Sequence, residues 1–285
     1  ETITATINFM DWEKALNFSL LDDKGKEISF TILDQKVTHI NILDPFDIPK
    51  GVKVSQYKIV FNAQDIPCFG YKVFKATPHQ KPHFPEYGKL VTATNTLENK
   101  FLRIEIQPNG SFRITHKETK TVYENCGIFE DGGDRGDAYN YDPPPNDGIY
   151  TTQSSNPRIS LMEDSPVRAQ YRIEYDWVLP RSLTPDRRGR SLDCSVFKIT
   201  SYVTLTSHSK YLEIETVVEN NLKDHRFRVL FPSGIESNVF HSDGQFDVVT
   251  RPIAVQELPP QCGMPRTHIF PQQSFMSIDD GKRGL

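Results

Sequence analysis

The residues best suited to chemistry lie between Ile128 and Pro145, a stretch reading IFEDGGDRGDAYNYDPPP. Glu130, Asp131, Asp134, Asp137 and Asp142 stand there with Arg135 and the phenols of Tyr139 and Tyr141. Carboxylates accept hydrogen bonds, a guanidinium donates a planar fork, and a phenol does both. Such a set can grip a ligand rich in hydroxyls. The same composition also suits a solvated acidic turn, or an oxygen cage for a calcium-like ion. Glycines 132, 133 and 136 open backbone angles that other residues avoid, and prolines 143–145 forbid helix and ladder pairing. The stretch reads as a loop of fixed shape, and loops are where binding chemistry concentrates.

Other polar groupings are weaker. Pro180 to Arg190 carries Arg181, Arg187, Arg188 and Arg190, which suits a solvated hairpin tip or an anion-binding loop. His241-Ser242-Asp243 is a lone His-x-Asp pair, read as part of a turn, with no second ligand pair to complete a metal site. Cys68, Cys126, Cys194 and Cys262 are widely spaced and form no CxxC. That excludes a zinc ribbon and points to free thiols in a reducing compartment, hence to a cytoplasmic protein.

The elements that hold these residues read as strands. The chain has 285 residues, 37% of them hydrophobic and 25% charged, with a formal net charge of -4. That composition fits a soluble globular protein and gives no nucleic-acid footprint. No apolar run is long enough to span a membrane, and no signal peptide opens the chain. The first residue is Glu1 rather than Met, so the sequence is expected to be an excised or processed piece. Period-2 runs recur at 58–61, 71–74, 101–106, 111–114, 169–177, 196–205, 211–218 and 226–231. Pro108-Asn109-Gly110 marks a hairpin turn. Asp11 to Phe18 is the best helical candidate, although a strand over Leu16–Leu21 closed by a turn at Asp22–Gly25 fits equally well. Lys75 to Gly88, rich in proline and histidine, reads as a linker. The expected fold is all-β, with a small β-sandwich over 1–80 and a large double-sheet sandwich over 89–285.

Several motifs together resemble glycoside hydrolase family 38, the α-mannosidases, and its bacterial members in particular. They are Asp65-Ile-Pro-Cys-Phe-Gly-Tyr71, Leu97-Glu-Asn-Lys-Phe-Leu-Arg-Ile-Glu-Ile106 with Asn109-Gly-Ser-Phe112 and Lys117-Glu-Thr-Lys120, and Asp134-Arg-Gly-Asp-Ala-Tyr-Asn-Tyr141. Asn220-Asn-Leu-Lys-Asp-His-Arg-Phe-Arg-Val229, Gln273-Ser-Phe275 and Asp279-Asp-Gly-Lys-Arg-Gly-Leu285 complete the series. They follow the family's order over nearly the whole chain. The part matched is the β-rich half that follows the family's catalytic domain. The resemblance implies a truncated part of a large, galactose-mutarotase-like super-sandwich.

The resemblance also implies a retaining mechanism, with a carboxylate nucleophile and an acid/base carboxyl flanking the scissile bond. It places those groups, and a zinc ion, in an N-terminal catalytic domain that this sequence lacks. The chain itself is expected to carry no catalytic residue, metal or cofactor, and to be inactive alone. Its expected partners are that catalytic domain and an α-mannoside, with no nucleic acid or membrane, and with self-association left open. Tyr139 and Arg283 occupy the places of family residues that reach the sugar. Asp134 and Asp137 are expected to brace the acidic loop, and Asp279 and Asp280 to orient Arg283. Two alternatives stay open: a mannosylglycerate hydrolase of the same family, and a free-standing carbohydrate-binding sandwich with Tyr139 and Trp177 as stacking platforms.

Overall fold

A computed structural model describes residues 2–44, 46–81, 88–137, 141–254 and 270–284. Regular structure among them is strand, apart from the 3-10 turns Asp11–Glu13 and Thr152–Ser154. The fold is all-β. Two compact units divide the chain. The first holds Glu1–Leu102, Leu161–Tyr171 and Val203–Ile214; the second holds Arg103–Ser160, Arg172–Tyr202 and Glu215–Leu285.

In the first unit, one sheet places the strand Asp47–Asn62 between Thr2–Met10 and Phe30–Asp44. Another places Asn17–Leu21 between Glu27–Ile28 and Lys75–His79. Tyr57, Ile59 and Phe61 share one face because strand side chains alternate, and they meet Phe9, Phe18 and Leu20 in a common core. Phe18 stacks on Phe30 at 4.6 Å and lies 5.1 Å from Phe9. Burying a side chain of this size contributes about 1.5–3 kcal/mol, so this aromatic cluster holds the two sheets together.

Three expectations need correction here. Asp11 to Phe18 is not a helix: a single 3-10 turn ends at Lys14, whose φ of 47° is left-handed, and the strand Asn17–Leu21 follows. The turn after that strand is built by Asp22, which accepts the N–H groups of Lys24 and Lys26 at 2.9 and 2.8 Å. The linker does not begin at Lys75, because Lys75–His79 pairs along the whole of Asn17–Leu21. The preceding run, 71–74, forms no strand. Tyr71 and Val73 are 85% and 61% exposed, and it is Phe74 that reaches the core, 5.0 Å from Phe61.

In the second unit, Phe112–His116 and Thr121–Cys126 form a hairpin, and Ile128–Gly133 lies between Tyr150–Thr151 and His225–Leu230. The Pro108-Asn109-Gly110 turn is present, with the Gly110 N–H donating to the Gln107 carbonyl at 2.8 Å. Gly110 has φ +81°, and a Cβ there would lie 2.0 Å from the Tyr175 hydroxyl, so only glycine fits. That hydroxyl donates to the Asn109 carbonyl at 3.0 Å, and burial pushes its pKa well up. His241 and Asp243 lie on the strand Val239–Asp243 and not in a turn, paired with Val248–Pro252. Cys68, Cys126 and Cys194 are free; burial, the larger cause, and the Glu124 carboxylate push the Cys126 thiol up to about 11.

Candidate functional site

The strand Ile128–Gly133 leads into the acidic loop, and its register places Asp131 opposite Phe227. Alternation turns Asp131 to the same side as Phe129, and both side chains are buried. A carboxylate with no exposure must find cations and donors. It finds Arg190 Nη2 at 2.5 Å and His225 Nδ1 at 2.5 Å, whose own side chains are 4% and 5% exposed. The His225 ring is held on its other edge by Asn220 Oδ1, 3.2 Å from Nε2. Asn220 Oδ1 also accepts the Leu222 N–H at 3.1 Å.

A second carboxylate completes the anchor. Asp147 takes the Gly133 N–H with both oxygens, at 2.9 and 3.0 Å, and stands 4.0 Å from Arg190 Nη1. Arg190 therefore lies between two acids. Among the described residues its Nε and Nη1 are buried without a hydrogen-bond acceptor, and its guanidinium sits 5.4 Å from the centre of the Tyr150 ring. Gly133 is required by this close approach. A Cβ there would lie 2.8 Å from Pro144, 2.9 Å from Asp147 and 3.0 Å from Arg190.

The flanks of the loop beyond this anchor are tied to one another. The Arg135 N–H donates to the Asp142 carbonyl at 2.8 Å, and its guanidinium reaches the Asp142 carboxylate at 2.5 Å. Asp134 Oδ1 accepts the Gly136 N–H at 3.0 Å and the Asp142 N–H at 3.3 Å, as short acids do in turns. The Asp134 N–H donates to the Asp224 carbonyl at 2.9 Å. Arg226 stacks on the Tyr141 ring at 4.4 Å. Burial first, then the Asp147 charge, raises the pKa of the Tyr141 phenol.

The arginine-rich insertion serves this same framework. Arg187 donates to the Arg135 carbonyl and, at 3.1 Å, to Asp224. Arg181 pairs with Asp193 at 3.1 Å, and Arg190 enters the buried anchor. Three of its cations are thus paired inside the unit, while residues 185–188 form an exposed hairpin tip closed by the Thr184 N–H on the Gly189 carbonyl at 2.9 Å.

Arg283 lies in a second braced segment. Asp280 Oδ2 accepts from its Nε at 3.2 Å and its Nη2 at 3.1 Å, and Nη2 also donates to the Gly234 carbonyl at 3.2 Å. Asp280 is itself fixed by the N–H groups of Lys282 and Arg283, at 3.0 and 2.8 Å. These donors, the Arg283 N–H foremost, lower its pKa. The Arg283 side chain stays 44% exposed, and among the described residues no acceptor engages its Nη1. Asp279 serves a different neighbour: it accepts the Gly281 N–H at 3.1 Å and lies 3.7 Å from His241 Nε2. The Tyr123 hydroxyl closes the segment by donating to the Gly284 carbonyl at 2.7 Å.

Of the residues singled out in the sequence, Arg283 and Asp280 meet directly, and Asp134 braces its loop. Asp137 is exposed, and Tyr139 lies outside the described residues. Sequence reasoning missed Asp131, Asp147, Arg190 and His225 as a unit. One signal was available, since alternation from Phe129 turns Asp131 inward, where an acid needs a partner. Nothing in the sequence names that partner, which stands 59 residues away. Among the described residues no group of three or more His, Cys, Asp or Glu side chains is arranged to hold a metal ion.

Comparisons with known proteins agree on one family. The profile of the glycosyl hydrolases family 38 C-terminal domain matches residues 97–285. A protein of Halalkalibacterium halodurans, provisionally named a mannosylglycerate hydrolase, is 27% identical over 262 residues, covering 84% of this chain and 29% of that protein. The crystal structure of an alpha-mannosidase from Enterococcus faecalis V583 superposes with a TM-score of 0.78 at 26% identity, over 98% of this chain and 34% of the other. A glycosyl hydrolase family 38 protein from Enterococcus faecalis gives 0.76 at 26% identity, over 98% and 35%. The chain thus spans about a third of the length of the relatives it matches.

Proposed function

From the premise that the chain belongs to glycosyl hydrolase family 38, most of it corresponding to the family's C-terminal domain, we propose that it forms one wall of the sugar cleft of a retaining α-mannosidase. In such an enzyme a carboxylate attacks the anomeric carbon, and a second carboxyl protonates the leaving oxygen and then activates water. Both carboxyls, and the zinc ion, belong to the catalytic domain in this reading. None of the described residues offers a cluster suited to that ion. The work of this chain is to bind and orient. Arg283 offers free N–H groups to vicinal hydroxyls, and Tyr139 offers a phenol. The buried anchor of Asp131, Arg190, His225 and Asp147 fixes the strand from which the loop springs.

The observation that carries the reading is Arg283, a half-exposed guanidinium held rigid by Asp280 and the Gly234 carbonyl with one nitrogen unengaged. Substituting Arg283→Ala in the complete enzyme removes a charge-assisted hydrogen bond worth roughly 1.5–3 kcal/mol. That corresponds to a fall in kcat/KM of about tenfold to a hundredfold on an aryl α-mannoside. The melting temperature should hold, since the side chain is exposed. Wild-type kcat/KM in the variant would overturn the assignment.

A second reading, mannosylglycerate hydrolysis, is favoured by the name of the Halalkalibacterium halodurans relative. Side-by-side turnover of mannosylglycerate and an uncharged aryl α-mannoside decides between them. A cytoplasmic location belongs to the same proposal and is supported by the free thiols of Cys68, Cys126 and Cys194.

A further inference from the structure

The first unit contains a pocket of about 670 Å³, a size that suits a small ligand. None of its lining residues belongs to the acidic loop or to the Arg283 segment. Its floor is made of hydroxyls and an amide: Thr2 and Thr4 from one strand, Asn62 from the next, and Thr204 and Thr206 from a third. Thr2 and Asn62 are direct cross-strand partners, and the Thr2 hydroxyl donates to Asn62 Oδ1 at 2.8 Å. Asn62 Nδ2 donates in turn to the Ser207 hydroxyl at 2.6 Å.

His208 closes this network without adding charge. Gln64 Nε2, which can only donate, lies 2.5 Å from His208 Nε2, so that ring nitrogen accepts. The ring proton is then on Nδ1 and goes to Ser207 Oγ at 2.9 Å. Burial, and after it the Lys100 charge, lowers the pKa of His208, in keeping with a neutral ring. The remaining charges on the wall balance. Arg168 is clamped by Glu163 at 2.6 and 2.7 Å, and Lys210 and Glu213 carry one charge of each sign, the Lys210 ammonium lying 5.3 Å from the centre of the Phe101 ring.

A wall without net charge does not select an anion or a cation. Its hydroxyls both donate and accept, which suits a ligand built of hydroxyls. Tyr211 adds an apolar face, for its side chain lines the pocket and the residue is 70% exposed. An exposed aromatic ring beside polar groups is the arrangement that packs against the C–H face of a sugar ring while hydroxyls bond around it. We propose that this pocket binds a neutral pyranoside, with Tyr211 as the stacking platform and Thr2, Thr4 and Thr206 as hydroxyl partners.

The test uses this chain, labelled with nitrogen-15 and titrated with methyl α-mannopyranoside, methyl β-glucopyranoside, glycerol or sodium sulfate. At least one pyranoside should give saturation transfer and shift the amides of Thr204 to Glu213, with a Kd on the order of millimolar. Glycerol and sulfate should do neither. Tyr211→Ala should weaken binding about fivefold or more and leave the thermal melt unchanged, because the ring is exposed. Absence of any pyranoside binding would overturn the proposal, as would undiminished binding by Tyr211→Ala or displacement by sulfate. Arg283→Ala separates this site from the cleft reading. Loss of binding in Arg283→Ala with retention in Tyr211→Ala would refute the pocket and support Arg283, whereas the opposite pattern supports the pocket.

Discussion

Replacing Asp131 by Ala should be among the most destabilising single changes in the second unit. Asp131 is fully buried and, among the described residues, is the one carboxylate within hydrogen-bond distance of Arg190, whose Nε and Nη1 find no acceptor there. Removing it leaves Arg190 with Asp147, 4.0 Å away, and leaves His225 Nδ1 without its partner. Breaking a buried ion pair from one side costs about 3–5 kcal/mol, because the remaining charge is desolvated and unpaired. At roughly 2–4 °C per kcal/mol for a protein of this size, the melting temperature should fall by on the order of 10 °C. Urea unfolding of Asp131→Ala, Arg190→Met and the double variant gives the coupling directly. The double variant should be less destabilised than the sum of the two singles, since neither charge is then stranded. A loss below about 1 kcal/mol in Asp131→Ala, or strict additivity, would refute the buried anchor.

The other expectations concern the elements around that anchor. Gly133→Ala pushes a methyl group to within 3.0 Å of Pro144, Asp147 and Arg190, and overpacking of this kind costs about 1–3 kcal/mol, readable in a thermal melt. Arg187→Ala removes the ties to the Arg135 carbonyl and Asp224. It should cost about 0.5–1 kcal/mol at this half-exposed site and speed hydrogen exchange of the Gly136 amide. Asp243 accepts the N–H groups of Gln273, Ser274 and Phe275, and its pKa is lowered from 3.8 to about 2, the Ser274 side chain being the largest cause. Because the folded value is depressed, this tether is fully present above pH 3.8 and is lost as pH falls to about 2. Protection of the Ser274 and Phe275 amides, taken relative to their intrinsic exchange rates, should therefore be high at pH 5 and fall below pH 3.8, while Asp243→Asn should show low protection at both.

The sequence by itself determined what is local. Period 2 in 169–177 and 196–205 foretold the strands Arg168–Pro180 and Cys194–Thr206, because alternation is a property of a few consecutive residues. Pro108-Asn109-Gly110 foretold its turn for the same reason, since only glycine takes φ +81° there without strain. Glycines and prolines marked 128–145 as a loop; that holds for 134–137 and 141–145, whereas Ile128–Gly133 is a strand, because His225–Leu230 lies beside it and pairs with its backbone. What required tertiary structure was the identity of partners. The run at 71–74 alternates yet forms no strand, whereas Lys75–His79, written as a linker, pairs with Asn17–Leu21, because a ladder needs a neighbour and not only a pattern. The arginines of the insertion looked alike in sequence. The fold buries Arg190 against Asp131, ties Arg187 to the loop backbone, and pairs Arg181 with Asp193. Local composition cannot choose among these fates, because each depends on a carboxylate or carbonyl that the chain brings close only when its strands have paired.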